Sequence, residues 1–459
     1  MRPITALISS AAVCAGLAVP AAAGAAPWQE PTDVGSPAAA NLGHVVGDDG
    51  FTLSAWRPPL GADEPTPLVA PALVAVRPPG QQGFGPSRRI DDLAARPVRY
   101  AKTRAALLRV RQSGGSQGAP VADVGVSYGR TSGDLGDTRP IAADVPLEAS
   151  GLPVIAASPR GDVAVAWIER DADRRQLRVA LRPAGGSFGA PVTLRGSGVS
   201  TAPALSFGPQ GDLLLAYQHA PADGGSRRVE VRVHRAGGDY GGVIDVGPAS
   251  GVTDAAPAVG HDGRLYVAWG TQDGGEEANE PYRVFARSAP RGGQFAELQG
   301  LDDGGAAWRS PGRLVLAARG DGGAQLAWTS VQPPQAPGAV ASFPVRTARA
   351  GADGRFAAPV ELAADGAVGD LAVSATDPLG AATLAWSTAP SLSGADPATA
   401  RVVAARLPAE GAPTIEDVSE VGHVGGPRLA LDAAAAPSAT WISSPPDGDG
   451  RARYGSRMP

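Results

Sequence analysis

The feature that most constrains this chain is a repeat of 50 to 60 residues that recurs along its length. In most units an aromatic residue, usually after alanine, closes a short apolar segment; these residues are Trp56, Trp167, Tyr217, Trp269, Trp328, Trp386 and Trp441. The interval from Trp56 to Trp167 is 111 residues, about twice the others, which predicts a further unit that has lost its tryptophan near Val110. Such a period indicates an architecture built from copies of one supersecondary unit.

A second marker gives the number of units. An arginine ends the next apolar segment of each unit; these arginines are Arg77, Arg130, Arg182, Arg235, Arg287, Arg349, Arg406 and Arg457. The period fits four short strands with their connections, and apolar residues at helical spacing are scarce. The sequence therefore predicts an all-β fold, an eight-bladed β-propeller of four-stranded antiparallel blades, with seven blades as the alternative.

The third unit shows how one blade is expected to fold. Its strands, called A to D in chain order, are predicted at residues 153–158, 162–168, 176–182 and 188–194. In strand B, Val163, Val165 and Trp167 share one face, and the residues between them are also apolar. A sheet that is apolar on both faces must be packed between neighbours, so the tryptophans are predicted to be core residues, with the preceding alanines supplying space for the next blade.

The eighth unit ends after its third strand. The missing strand is predicted at the other end of the chain, because Trp28-Gln29-Glu30-Pro31 matches the strand D segment Phe188-Gly189-Ala190-Pro191. Residues 28–34 are expected to pair with the last strand and to close the ring with residues 425–459. On this interpretation residues 27–459 form a single propeller domain.

Residues 1–26 have the pattern of a secretory signal peptide. Arg2 precedes an apolar run at residues 4–19, which Pro20 and small residues follow. Cleavage would remove Cys14, the sole cysteine, and leave a chain without disulfide bonds. The sequence thus predicts a secreted protein, extracellular or in the cell envelope, with no membrane insertion.

Charge and motifs exclude several classes of function. The net charge is −5 and both signs are interspersed, so no nucleic-acid partner is predicted. The five histidines lack metal-ligand spacing, so neither a metal site, a cofactor nor a catalytic constellation is predicted. The repeating arginines are expected to bond turn carbonyls or a turn aspartate such as Asp262, and two Arg-Gly-Asp segments, at residues 160–162 and 319–321, are expected to be A/B turns.

The repeat resembles secreted bacterial β-propellers of the sialidase-like and WD-repeat-like kinds. The resemblance covers the architecture only, because the turn before Trp56 departs from the sialidase-like Asp-box: Gly50 of Asp49-Gly50 lies six residues before the tryptophan. It therefore implies a fold and no site residues.

Function is predicted on the face that carries the variable D/A and B/C connections, since strand A reads as apolar or small in every unit. Residues that break the repeat there are candidate ligand-binding residues: Asp302, Asp303, Trp308, Arg309 and His423. The favoured hypothesis is a monomeric, non-enzymatic scaffold or binding protein that presents loops to a protein or a glycan. The alternative is a glycan-active hydrolase or lyase that uses the acids Glu276, Glu277, Glu280, Asp302 and Asp303.

Overall fold

The fold was analysed in a computed structural model. The structure describes residues 28–35, 38, 40–58, 71–90, 94–101, 104–116, 119–129, 135–148, 151–172, 174–249, 255–272, 282–302, 311–331, 343–363, 366–374, 380–388, 400–420, 422–432, 434–444 and 450–457.

These residues form 32 β-strands. The first sixteen are β1 (Thr32–Gly35), β2 (Ala40–Val46), β3 (Thr52–Arg57), β4 (Ala72–Arg77), β5 (Arg88–Ile90), β6 (Ala94–Tyr100), β7 (Arg104–Ser116), β8 (Ala119–Tyr128), β9 (Arg139–Pro146), β10 (Val154–Ala157), β11 (Val163–Asp171), β12 (Arg174–Arg182), β13 (Val192–Arg195), β14 (Ala204–Phe207), β15 (Leu213–His219) and β16 (Arg228–His234). The others are β17 (Ile244–Pro248), β18 (Ala255–Val259), β19 (Leu265–Gln272), β20 (Tyr282–Ala289), β21 (Gln299–Asp302), β22 (Pro311–Ala318), β23 (Ala324–Ser330), β24 (Val345–Ala350), β25 (Val360–Ala363), β26 (Gly366–Ser374), β27 (Ala382–Thr388), β28 (Val402–Leu407), β29 (Thr414–Asp417), β30 (His423–Leu431), β31 (Pro437–Ser444) and β32 (Arg451–Ser456).

The strands form eight four-stranded antiparallel sheets, as predicted. Blades 1 to 7 are β2–β5, β6–β9, β10–β13, β14–β17, β18–β21, β22–β25 and β26–β29, and blade 8 has the order β1-β32-β31-β30. The first strand of each blade contacts the first strand of the next, and β30 returns to β2. The innermost strands therefore line a central channel, and the fold is a closed eight-bladed β-propeller rather than the seven-bladed alternative.

The core lies between the blades. The six tryptophans and the tyrosine that close strand B are each at most 1% exposed, which confirms the predicted core role. The space for two of the indoles comes from glycine in strand D of the preceding blade, and not from alanine alone as expected. A Cβ added at Gly35 or Gly247 would lie 2.5 Å from the ring of Trp56 or Trp269.

Blade 2 is the unit without a tryptophan. In the other blades the strand B aromatic packs on the preceding blade, as Trp56 does on blade 8. From strand B of blade 2, Ala105 and Leu107 pack on blade 1. Leu108 and Val110 lie on the opposite face of the strand, fully buried against blade 3. Small and aliphatic side chains thus fill both faces of this strand.

The amino-terminal strand closes the ring, as predicted. β1 pairs antiparallel with β32 through Thr32 and Tyr454, and Trp28 forms a bridge with Arg457. Strand D of blade 3 is shorter than expected, since β13 begins at Val192 and not at Phe188. The Phe188 side chain packs on the core between blades 2 and 3 instead of continuing the ladder.

The repeating arginines are structural in most described blades. Arg182 donates to the carbonyl of Gly161 at 3.1 Å, and Arg235 and Arg349 donate to the turn aspartates Asp212 and Asp321 at 2.8 and 3.0 Å. Arg130 lies outside the described residues.

The prediction that a repeating arginine pairs with Asp262 was wrong. The Asp262 carboxylate lies 3.8 Å from Arg264, while Arg287 donates to the carbonyls of Ala296 and Val246. In the second Arg-Gly-Asp segment, Arg319 is 1% exposed and pairs with Asp321, so the segment is a turn whose arginine is buried. Within the described ranges, no helix combines the length and hydropathy needed to cross a bilayer.

Candidate functional site in the central channel

The predicted ligand-binding rim is only partly covered by the structure. Asp302 is the last residue of β21 and His423 is the first residue of β30, and only their backbone is described. Asp303, Trp308 and Arg309 lie outside the described residues, as do Glu276, Glu277 and Glu280. The predicted D/A and B/C rim therefore stays a prediction.

A cavity of about 500 Å³ opens at the opposite end of the channel, where strand A of each blade turns into strand B. This volume falls in the usual range for small-molecule sites. Seven blades contribute to its wall, which is lined by Asp48, Arg99, Ala101, Ala157, Pro159, Ser206, Phe207, Pro209, Ala258, Val259, His261, Leu316, Ala317, Ala318, Asp432 and Ala435.

The polar wall of the cavity is built by blades 1, 2 and 8. The Arg99 guanidinium forms an ion pair with Asp48 and donates to the carbonyl of Leu431 at 3.2 Å. Next to Leu431, an Asp432 carboxylate oxygen accepts hydrogen bonds from the amides of Ala434 and Ala436, both at 2.9 Å. Asp48 and Arg99 keep 23% and 33% of their side chains exposed, so a ligand in the cavity can reach them.

The apolar wall carries one aromatic side chain. Phe207 is the last residue of β14 and is partly exposed in the cavity. Ala157 and Val259 hold the same register position in the neighbouring blades, and from blade 2 the matching residue of the cavity wall is Arg99. Phe207 thus places an aromatic ring at a channel-facing position that is small or aliphatic in the two neighbouring blades.

Two turns of the cavity wall have an unfavourable backbone. Ala101 and Ala435 have φ values of 50° and 59°, in the left-handed region that glycine tolerates best. Glycine occupies positive φ in the corresponding turns of other blades, for example Gly161 at 104° and Gly211 at 85°. Strain of this kind is often found at ligand sites, and here it places two methyl groups in the cavity wall.

The strand A residues are less uniform than the sequence indicated. The expectation of apolar or small residues along every strand A was wrong for β6, which carries Arg96 and Arg99, and for β22, which carries Arg313. These arginines are isolated departures in strands that are otherwise apolar. Of the three, Arg99 lines the cavity, whereas Arg96 and Arg313 are not among the described residues of its wall.

A second polar cluster lies between blades 3 and 4 and has a structural explanation. Glu230 accepts from Arg195 at 3.1 Å, lies 3.2 Å from His219 and is 6% exposed. Burial, together with the neighbouring Glu230, raises the pKa of the Tyr217 hydroxyl, while burial lowers the pKa of His219. Because Tyr217 replaces the usual tryptophan, the charged side chains of this cluster lie close to its buried hydroxyl.

The His219 ring of this cluster is covered by the chain. A Cβ added at Gly198 would lie 2.6 Å from the ring, so the connection between β13 and β14 packs directly on it. As for metals, the described part of the chain holds no group of three or more metal-binding side chains.

Sequence reasoning missed Asp48, Arg99, Phe207 and Asp432. None of them belongs to a motif, and the strand ends and turns that carry them are far apart in the chain. The available signal was a charged or aromatic residue at a position that is small or aliphatic in other units.

No protein-family model matches the chain, and no curated protein matches its sequence. Similar solved structures include the α-L-arabinofuranosidase Arb93A of Fusarium graminearum, at 12% identity over 66% of this chain and 92% of that chain, with a TM-score of 0.39. They also include an ulvan lyase of polysaccharide lyase family 25, at 11% identity over 93% of this chain and 94% of that chain, with a TM-score of 0.48. A Penicillium chrysogenum α-L-arabinanase matches at 13% identity over 67% of this chain and 92% of that chain, with a TM-score of 0.39. These neighbours are glycan-active hydrolases and lyases, and the resemblance is one of fold alone.

Proposed function

We propose that this protein is an exported carbohydrate-binding propeller that takes a short saccharide in the A/B-turn end of its channel. The observation that supports this proposal is the placement of Phe207 opposite a wall of Asp48, Arg99 and Asp432 in one cavity of about 500 Å³. Few polar groups set in a mostly apolar, concave wall are typical of small-molecule sites.

The wall suits the chemistry of a sugar ring. The C–H face of a pyranose is apolar and packs on an aromatic ring, while its hydroxyl groups bond in the ring plane to charged acceptors and donors. Phe207 offers the first kind of surface, and Asp48 with Arg99 offers the second. Because Asp48 and Asp432 outnumber Arg99, a neutral or basic saccharide is favoured at this end of the channel over an acidic one.

Phe207→Ala is expected to weaken saccharide binding about tenfold or more, because it removes the stacking surface. A glycan array selects the ligand, and isothermal titration calorimetry measures its affinity for the wild-type protein and the variant. The matched control is Ile415→Ala, which removes an apolar side chain that is 47% exposed on the outer strand of blade 7. Equal affinity in all three proteins would contradict the proposal.

Glycan cleavage is the second candidate function, because two carboxylates, Asp48 and Asp432, line the same cavity. Both are already engaged, one with Arg99 and the other with two backbone amides, which favours binding over catalysis. Mass spectrometry of the selected glycan after incubation tests the alternative. Products that form with the wild type and not with Asp48→Asn or Asp432→Asn would make the protein an enzyme.

Export and a monomeric state complete the proposal. Residues 1–26 carry the signal-peptide pattern, so the mature chain is expected to begin near residue 27 outside the cytoplasm. Amino-terminal sequencing of the protein from the culture medium or the cell envelope, together with light scattering, tests both points.

A further inference from the structure

The cavity at the A/B-turn end of the channel has a charged side and an aromatic side. Asp48 and Asp432 line it from blades 1 and 8, and Phe207 and His261 line it from blades 4 and 5. In a closed ring of eight, blade 4 lies opposite blade 8 and blade 5 lies opposite blade 1. A ligand that fills the cavity therefore meets carboxylates on one side and aromatic rings on the other.

The carboxylate of Asp48 departs from the repeat at a position that faces the cavity. The A/B turns of blades 1, 3 and 4 close with the same backbone hydrogen bond, from an amide to the carbonyl four residues later. The residue after that amide lines the cavity in all three turns, and it is Asp48, Pro159 or Pro209. Blade 1 thus places a negative charge where blades 3 and 4 place an apolar ring.

The guanidinium of Arg99 is already engaged by the protein. It forms an ion pair with Oδ1 of Asp48 and donates to the carbonyl of Leu431 at 3.2 Å. An acidic ligand would have to compete with both partners for these donors. The pair leaves Oδ2 of Asp48 for a ligand, and Arg99 holds the turns of blades 1 and 8 next to each other.

Asp432 has hydrogen-bond donors but no ion pair among the described residues. The amides of Ala434 and Ala436 both donate to its Oδ1 at 2.9 Å, which fixes the carboxylate and leaves Oδ2 for a ligand. In blade 4, by contrast, the turn aspartate Asp212 is paired with two arginines. A partly exposed carboxylate in a mostly apolar cavity favours a positively charged partner.

Other basic side chains of the A/B turns have partners of their own. Arg160 donates to the carbonyl of Gln210, and Arg319 pairs with Asp321 at 2.7 Å. Lys102 lies outside the described residues, and its contribution is measured by substitution. Among the described residues, the cavity wall thus carries two carboxylates and one guanidinium, apart from an imidazole.

We propose that the saccharide of this cavity is an amino sugar, whose ammonium group binds Asp48 and Asp432 while its ring packs toward Phe207. The assignment deepens the proposed function and rests on it. An ammonium group has three N–H donors, which suits the second oxygens of two carboxylates. Hydrogen bonds between charged groups are about twice as strong as neutral ones, so a hydroxyl or N-acetyl group at the same carbon would bind less well.

Three disaccharides that differ only at C2 test this proposal: β-1,4-linked glucosamine, its N-acetylated form and cellobiose. Calorimetry below the pKa of the sugar amine should show the glucosamine disaccharide bound about tenfold more tightly than the other two, as expected for a hydrogen bond between charged groups. Raising the pH above that pKa should remove the preference, because the amine is then uncharged. Equal affinity for all three, or no binding of any, would overturn the proposal.

Asp432→Asn keeps an oxygen for the two backbone amides and removes the charge. It should lower the affinity for the glucosamine disaccharide to that for cellobiose. Asp48→Asn is the second variant and decides the question if Asp432→Asn fails to fold. Asp223→Asn is the matched control and should keep the preference, since Asp223 is exposed in the B/C connection of blade 4 and likewise accepts from a backbone amide, that of Gly225 at 3.0 Å.

Lys102→Gln should not weaken binding of the glucosamine disaccharide, because a nearby positive charge would oppose an ammonium group. A preference for glucosamine that persists in both Asp432→Asn and Asp48→Asn overturns the proposal. Saccharide binding that depends on Phe207 but shows no preference for the amine overturns it as well, and leaves the proposed function intact. If no glycan of the array binds, both fail together.

Discussion

His44 is a buried titratable side chain at the seam between blades 1 and 8. Its Nδ1 lies 3.1 Å from the Ser54 hydroxyl and its Nε2 lies 2.9 Å from the Ser438 hydroxyl, and its ring packs edge-on against Tyr454. A neutral imidazole satisfies both hydroxyls, since one ring nitrogen donates and the other accepts. Burial, and then the charge of Arg77, lowers the pKa of His44 to about 3.

The protein is expected to lose stability as the pH falls from 6.5, and His44 accounts for part of that loss. Between pH 6.5 and 3 the unfolded chain binds a proton at His44 that the folded chain does not bind, so the free energy of unfolding decreases with falling pH. The contribution between pH 6.5 and 5 is about 1.5 kcal/mol. Urea unfolding at the two pH values measures it.

The variant His44→Gln keeps hydrogen-bonding groups and cannot take up the proton. Its loss of stability over the same pH interval should be smaller than that of the wild type by the contribution of His44. His261→Gln replaces an exposed histidine and should follow the wild type. Parallel pH profiles for the wild type and His44→Gln would show that His44 does not control the acid sensitivity.

At the scale of single residues, the sequence predicted packing better than sites. A tryptophan that recurs at one position is core in all six blades that carry it, and that inference needed no coordinates. Phe207 and Asp48 appear once each, so their meaning depends on what the closed ring places opposite them. Tyr217 shows the same limit: its charged neighbours Glu230 and Arg195 come from two blades.

Among the elements, two A/B turns combine backbone strain with a place in the cavity wall. Replacing Ala101 with glycine should stabilise the protein by about 0.5–1 kcal/mol, because relief of the left-handed conformation exceeds the added entropy of the unfolded chain. The same change removes a methyl group from the cavity wall and should weaken saccharide binding a few fold. Chemical denaturation and calorimetry measure the two effects.

Ala172→Gly is the matched control, since Ala172 has a φ of 51° in a B/C hairpin that takes no part in the cavity. It should gain stability to a similar extent and keep its saccharide affinity. If Ala101→Gly bound the saccharide as the wild type does, the strained turn would have no role in the ligand site.

Strand pattern predicted the elements well where both faces are apolar, as in β11, and less well at the edges of a blade. Strand D begins late in blade 3 because the aromatic at Phe188 is used for packing. Strand A was expected to carry only apolar or small residues, but β6 carries Arg96 and β22 carries Arg313. An innermost strand faces water, so it tolerates a charge that a central strand would not.

For the whole molecule, the seam between blades 8 and 1 decides whether the ring is closed. Val34 of β1 packs with Trp56, Ile442 and Tyr454 in one apolar cluster, and the amide of Ala38 donates to the carbonyl of Gly450. Polar contacts add specificity, since the Asn41 side chain donates to the Thr440 carbonyl at 2.9 Å. Both the count of blades and this closure were predictable, because they depend on repeat number and on one matching segment.

A chain that begins at residue 36 is expected to unfold at a lower temperature than a chain that begins at residue 28. It loses the four residues of β1 and leaves the edge of β32 open. The burial of Val34 alone contributes about 2 kcal/mol, and an open strand edge promotes association between molecules. Thermal unfolding and size-exclusion chromatography measure both effects.

A synthetic peptide of residues 28–35 should reverse these effects, because an open sheet edge accepts an added strand. Its binding should raise the melting temperature of the shortened chain with peptide concentration and should leave the chain that begins at residue 28 unchanged. A peptide of the same composition in scrambled order removes the match between Val34 and the pocket around Trp56, so it should have little effect. If the shortened chain melted like the longer one and ignored the peptide, the ring would be held by contacts between blades 8 and 1 alone.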